Sequence, residues 1–162
     1  MTISVGNTFP NITVQTCDDQ GAPAPLDLGQ WASDRKVVIF GLPGAFTPTC
    51  SAKHLPGFVA QAAALRSHGV AAIGCHSVND AFVMAAWARA AGSADITMIA
   101  DGAAALTKAL GLELDLTMAG MGVRSQRYAM IIDQGLVTYL GVEPGQDFGV
   151  SSAEAVLEAL SK

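Results

Sequence analysis

The stretch Val37-Val38-Ile39-Phe40-Gly41-Leu42-Pro43-Gly44-Ala45-Phe46-Thr47-Pro48-Thr49-Cys50-Ser51 decides the fold. Its first four residues are apolar without alternation, the pattern of a strand buried on both faces of a sheet. Pro43 and Gly44 end that strand in a turn. Pro48 pre-sets a helical φ, so a helix is expected to open here with Cys50 in its first turn. A helix N-terminus carries unpaired N–H groups and about half a positive charge. A free cysteine has a pKa of about 8.5 and is only a few per cent thiolate at neutral pH, and the thiolate is the reactive form. A helix start therefore biases Cys50 toward nucleophilic chemistry. Thr47, three residues earlier, brings a hydroxyl close to the sulfur and is also a natural helix cap. The same placement suits an inert, small buried cysteine at a strand-to-helix junction.

Outward from this stretch, the pattern alternates. Ile12 to Gln15 reads as a short strand, and Asp18 to Pro25 as a turn-rich segment. Leu28 to Ala32 forms a helical turn. Pro48 to His68 reads as a helix with a kink expected at the interior Pro56-Gly57. Val70 to Ser77 is a second central strand. Asn79-Asp80 caps a helix whose Phe82, Val83, Ala86 and Trp87 share one face. Ile96 to Ala100 is a third strand, and Ala103 to Leu110 a helix closed by Gly111. Arg127 to Asp133 and Leu136 to Val142 pair as a hairpin across Gln134-Gly135. A C-terminal helix starts at Ser151 or Ser152, with Ala155, Val156, Ala159 and Leu160 inward. Strands alternating with helices, then a hairpin, then a helix, define an α/β class: a central mixed β-sheet flanked by helices, which a thioredoxin-like fold satisfies. Gly41-Leu42-Pro43-Gly44 is not a Gly-rich phosphate loop, so a nucleotide-binding sheet is excluded.

The chain has 162 residues, the size of one domain spanning 1–162. A domain of that size buries roughly 70% of its unfolded surface and needs no metal or disulfide staple. With 51% hydrophobic and 14% charged residues, some apolar surface is expected to be covered by a partner subunit. The net charge of −5 argues against nucleic-acid or anionic-membrane binding, which need clustered Lys and Arg. The first residues have neither a basic nor an apolar leader segment, and no apolar run is long enough to span a bilayer. Three cysteines, Cys17, Cys50 and Cys75, with no Cys-x-x-Cys and no zinc spacing, fit a reducing, cytoplasmic setting. His54, His68 and His76 are scattered and read as surface or core histidines rather than ligands.

The run Pro43-Gly-Ala-Phe-Thr47-Pro-Thr-Cys50-Ser-Ala-Lys-His54-Leu-Pro-Gly-Phe58 resembles the peroxidatic motif of the peroxiredoxins, most closely the peroxiredoxin-5 (type II) branch. The likeness continues through Ser77 to Val83 and Trp87, and returns at Gly122 to Met130. The resemblance implies a thiol-dependent peroxidase that reduces hydrogen peroxide and organic hydroperoxides with no metal, heme or flavin. It makes Cys50, Thr47, Arg127 and Pro43 the catalytic set. On this reading Cys50 attacks a peroxide oxygen and becomes a sulfenic acid. A helix terminus contributes only about 0.3–1 kcal/mol to holding a thiolate, so a cation is needed as well, and Arg127 is the candidate. Arg127 also answers the charge that builds on the breaking O–O bond. Thr47 and the Cys50 amide hold the peroxide, and Pro43 shields the sulfur from water. Gly44, Phe46 and Trp87 line the substrate pocket, and Arg124 is either a supporting charge or a solvated residue.

A type II relative of the human kind carries a resolving cysteine near the C-terminus, and Gly145 to Ala153 here has none. Cys75, on the strand expected beside the one leading to Cys50, is either a resolving or an auxiliary cysteine, and Cys17 looks peripheral. The expected cycle uses one cysteine, with glutathione, glutaredoxin or thioredoxin attacking the sulfenate. Relatives form homodimers through loops near the site, which points to the Phe46 turn and Thr117 to Gly122. Three other readings remain. A thiol–disulfide oxidoreductase would want a second cysteine where Thr47 stands. A cysteine hydrolase would use His54 as its base. A peroxide sensor would react but turn over slowly.

Overall fold

The computed structural model describes all of residues 1–162. Lys36–Gly41 forms the central strand, β3, and only Lys36 of its residues is not buried. Val38 and Phe40 point into one core and Val37 and Ile39 into the other, as the two-residue period of a strand requires. The other strands are β1 (Thr13–Cys17), β2 (Pro23–Asp27), β4 (Ala72–Ser77), β5 (Thr97–Ala100), β8 (Tyr128–Asp133) and β9 (Leu136–Val142), joined in the order β2-β1-β5-β4-β3-β8-β9. β3, β4 and β5 are parallel, and the remaining pairings are antiparallel. This is the expected thioredoxin-like mixed sheet.

Helices cover both faces. α2 (Leu55–Ser67), α3 (Ala81–Ala91) and α5 (Ala153–Leu160) pack Leu55, Phe58, Met84, Trp87 and Val156 on one side. α1 (Leu28–Ala32), α4 (Ala105–Leu110) and the N-terminal segment pack Leu28, Leu106, Leu110 and Phe9 on the other. Gln134 and Gly135 turn the β8–β9 hairpin with φ of 50° and 83°, the double positive φ of a tight hairpin turn.

Several elements differ from the sequence reading. Asp18 to Pro25 is not all turn, because Pro23–Asp27 pairs with β1. The pair bonded at Asp18 N–H to the Ala22 carbonyl fixes the alternation, so the nitrogens of Pro23 and Pro25 face the outer margin, where a strand tolerates proline. Thr117 to Gly122 is not a free loop. It caps a separate hairpin, β6 (Glu113–Leu116) with β7 (Gly122–Ser125). The inward face of α3 is Ala81, Met84, Ala85 and Trp87, while Phe82 is 67% exposed. This helix is apolar nearly all round, so periodicity alone does not choose its face. Asp80 does, by accepting from the Val83 N–H and fixing where the helix begins. The disturbance expected at Pro56-Gly57 falls earlier, as a wide π turn over Cys50–His54 in which the Leu55 N–H reaches the Cys50 carbonyl. Pro56 has no N–H for a regular bond to the carbonyl four residues back, and the wide turn takes up that gap.

A polar network is buried below the C-terminal ends of β3 and β4. His76 contacts the Tyr128 hydroxyl at 2.7 Å and the Asp101 carboxylate at 3.0 Å. Asp101 also accepts from the Leu106 and Thr107 amides and from the Thr107 hydroxyl. Burial disfavours the Asp101 charge, but the bonds and charge of His76 and the Thr107 donors more than offset it and hold its pKa below the ordinary value. Asp101→Ala leaves these donors unpaired in the core. It should destabilise the protein by about 3 kcal/mol or more, read from the urea midpoint.

Candidate active site

Beyond β3 the chain makes a close turn that Arg124 holds. Its Nη1 donates to the Pro43 carbonyl at 3.0 Å and its Nε to the Met121 carbonyl at 2.9 Å. A Cβ at Gly44 would lie 2.7 Å from Arg124 Nη1, so a side chain there would push the guanidinium off the Pro43 carbonyl. Arg124, left open between a supporting charge and a solvated residue, is the brace of this turn. On the other side Asn79 Oδ1 accepts from the Ala45 amide at 3.0 Å and from Ser77 Oγ at 2.6 Å. Phe46 follows in a left-handed conformation, φ 64°, which a bulky residue adopts only at a cost, and its ring is 56% exposed.

The Thr47 hydroxyl donates to the Gly44 carbonyl at 2.6 Å. Its only proton is thereby used, so Thr47 Oγ1 faces a substrate as an acceptor. Its own carbonyl accepts from the Ser51 amide at 2.9 Å and opens the helical segment. Cys50 is 1% exposed. Arg127, at the entrance to β8, donates from Nη2 to Cys50 Sγ at 3.1 Å. The sheet places it there, since β8 lies beside β3 with Tyr128 opposite Gly41. A guanidinium presents its N–H donors in a rigid planar fork, so one nitrogen can be aimed at the sulfur while another is held elsewhere.

His54, read from sequence as a bystander or a hydrolase base, is a functional neighbour that sequence reasoning missed. It is fully buried and caged by Phe40, Phe58 and Phe148 at ring distances of 4.9, 5.7 and 5.3 Å. Arg127 Nη1 lies 2.9 Å from its Nδ1, and the Ser151 carbonyl lies 2.9 Å from its Nε2. Arginine only donates and a carbonyl only accepts, so Nδ1 is bare and Nε2 carries the proton. Burial first, and then the Arg127 charge, lower its pKa to about 3. It is therefore neutral, with its free lone pair bound to Arg127, and is not placed to act as a base toward Cys50. The signal in the sequence was its position four residues after Cys50, and only the wide turn shows where that position points.

The remaining candidates are placed differently. Trp87 is 2% exposed and donates its indole N–H to Ser51 Oγ at 3.0 Å. It braces the turn that carries Cys50 from below, and Phe46, with its ring 6.4 Å away, is the exposed one of the two. Cys75 sits on β4 opposite Phe40, fully buried. Burial, and then the neighbouring Cys50, push its pKa well above the ordinary value. Cys17 lies on β1, with β5 and β4 between it and β3. Burial and then Asp18 raise its pKa, against smaller opposing effects of a backbone hydrogen bond and of Arg89. It takes no part in the site.

A single sulfur under an arginine, with a hydroxyl where a disulfide exchanger has its second cysteine, defines a thiol enzyme whose sulfur is oxidised by its substrate. Comparison with known proteins gives the same class. The Redoxin family model matches residues 4–157. Peroxiredoxin-2B of Arabidopsis thaliana is 46% identical over 98% of each chain. Peroxiredoxin-2E-2 (chloroplastic) of Oryza sativa subsp. japonica is 48% identical, covering 98% of this chain and 73% of its own length. The crystal structure of reduced Prx3 in complex with H2O2 from Vibrio vulnificus superposes with a TM-score of 0.93 at 49% identity, over 99% of this chain and 97% of that one. The chain belongs to the redoxin family and, within it, to the peroxiredoxins, which are thiol-dependent peroxidases.

Arg127→Ala should slow oxidation of Cys50 by about a hundredfold, the scale of a lost oxyanion donor. Stopped-flow fluorescence at fixed pH measures this. The His54 ring gives a pH signature of stability. Because it is neutral in the fold and takes a proton in the unfolded chain, stability is full above pH 6.5 and is lost as pH falls toward about 3. His54→Gln should flatten that part of the curve of unfolding free energy against pH.

Proposed function

We propose that the enzyme reduces hydrogen peroxide and small organic hydroperoxides through a one-cysteine cycle centred on Cys50. The observation that carries this reading is the 3.1 Å contact between Arg127 Nη2 and Cys50 Sγ at the start of a helix. The thiolate attacks the terminal peroxide oxygen, so an S–O bond forms as the O–O bond breaks. The leaving oxygen takes up a proton and departs as water or alcohol, and the sulfur is left as sulfenic acid. Thr47 Oγ1 accepts from the peroxide O–H and aims it at the sulfur. Arg127 donates to the oxygens while charge builds on them. Pro43, in the turn braced by Arg124, keeps the sulfur under an apolar rim.

The sulfenate then needs an external thiol. Cys75 is buried in the sheet, and a disulfide needs Cα atoms within about 7 Å and converging side chains, so Cys75 would have to leave the core to serve. In the proposed cycle glutathione attacks the sulfenic sulfur, releasing water and leaving a mixed disulfide. A second glutathione, or the thiol of glutaredoxin or thioredoxin, then frees Cys50. We place this reaction in a reducing cytoplasm, with two copies paired through the exposed Phe46 turn and the β6–β7 tip, where Met118 and Val123 are exposed.

Intact-protein mass spectrometry of reduced protein given one equivalent of hydrogen peroxide tests the cycle. One added oxygen at Cys50, converted by glutathione to a mixed disulfide, is the expected result. Loss of two hydrogens mapped to a Cys50–Cys75 bridge would replace the one-cysteine cycle with a two-cysteine one. Cys50→Ser should abolish peroxide consumption, and Cys75→Ser should leave glutathione-supported turnover largely intact.

A further inference from the structure

Arg127 is linked at both ends to one residue of the segment after β9, directly at its carbonyl and through two intermediaries at its guanidinium. The Glu143 amide donates to the Arg127 carbonyl at 2.9 Å. The Glu143 side chain, on a residue only 5% exposed, turns the other way. Its Oε2 accepts from the Gly149 amide at 2.7 Å, the Ser151 amide at 2.8 Å and the Ser151 hydroxyl. These bonds fix Ser151, which is fully buried, so that its carbonyl receives the His54 Nε2–H at 2.9 Å. His54 Nδ1 in turn receives Arg127 Nη1. The path closes on itself: Arg127 carbonyl, Glu143 amide, Glu143 carboxylate, Ser151, His54, Arg127 guanidinium. One guanidinium nitrogen is thus held by the ring while Nη2 meets the sulfur.

We propose that Glu143 is a positioning residue for the peroxidase reaction, acting through Ser151 and His54 to fix the Arg127 guanidinium against Cys50. It touches neither the sulfur nor the peroxide. Its work is geometric. A carboxylate that gathers several donors of one loop pins the loop more firmly than any neutral acceptor would, because hydrogen bonds to charged groups are roughly twice as strong. A planar guanidinium must be aimed as well as near, and a donor displaced by an ångström loses much of its effect on a transition state. The Ser151 amide and hydroxyl both end on the same carboxylate oxygen, while the Val150 carbonyl of the same peptide accepts from the Tyr139 hydroxyl at 2.6 Å on its other side.

A double-mutant cycle tests this. Stopped-flow tryptophan fluorescence gives the second-order rate of Cys50 oxidation by hydrogen peroxide for the parent, E143A, H54Q and the E143A/H54Q pair. E143A should slow oxidation by between about tenfold and a hundredfold. In the H54Q background it should cost nothing more, because both changes cut the same path. Alkylation of Cys50 by iodoacetamide should not accelerate, as it would if the pocket had simply opened. E143Q keeps an oxygen for the Ser151 donors and should recover the rate to within about fivefold of the parent. An E143A rate within twofold of the parent, losses that multiply in the pair, faster alkylation, or an E143Q as slow as E143A would each overturn the proposal. Should E143A fail to fold, E143D carries the same cycle, since it keeps the charge but withdraws it from Ser151. An undiminished E143D rate, or a loss that persists in the H54Q background, overturns the assignment.

Discussion

The contact between Arg127 and Cys50 is the constraint around which the molecule is arranged. Cys50 is almost wholly removed from water, and the group that meets its sulfur there is a guanidinium. A strand-borne arginine can meet a helix-borne cysteine only if β8 lies next to β3, and that adjacency needs an antiparallel hairpin inserted at the side of a parallel sheet. The glycine at position 41 belongs to the same requirement. Any Cβ there would lie 2.0 Å from the Tyr128 ring, which lies over Gly41 on the face of the sheet, one residue from Arg127. Sheet order, a missing side chain and the arginine–sulfur contact are in this sense one feature.

The site divides its labour between rigid and strained parts. The rigid part is polar and fully satisfied. The Tyr128–His76–Asp101–Thr107 network below and the His54–Arg127 bond above leave no buried side-chain nitrogen or oxygen without a partner. The strained part is the short path from Phe46 to His54, which combines a left-handed aromatic residue with a wide helical turn. Irregular backbone of this kind persists where its surroundings over-determine it. Arg124 and Asn79 hold the chain just ahead of it, at Pro43 and Ala45, and Trp87 holds it from within, at Ser51.

Much of this was legible in the sequence, and the reason differs from residue to residue. The continuous apolar run Val37–Phe40 and the double-positive turn at Gln134-Gly135 declare themselves, because strand burial and hairpin chirality act locally. Cys50, Thr47 and Arg127 stood out by motif, and the sheet brings Cys50 and Arg127 into contact. The alanine-rich α3 was legible as a helix but not in its orientation, because alanine marks no face. The β6–β7 hairpin was hidden by the flexibility that Gly120 and Gly122 imply. His54, Glu143 and Ser151 are ordinary residues in isolation. What joins them is a closed set of hydrogen bonds across positions 54, 127, 143 and 151, and no local pattern encodes a ring of that span.

The margins of the sheet have a consequence of their own. On one side β2 turns the nitrogens of Pro23 and Pro25 outward. On the other, the N-terminal segment pairs with the start of β9 through Gly6, Asn7 and Thr8, and Val150 lies over Gly141 further along. Neither flank offers the unbroken row of donors and acceptors that recruits a foreign strand. A protein whose working part is strained thereby keeps its ordered sheet from seeding fibres even when the strained segment has let go.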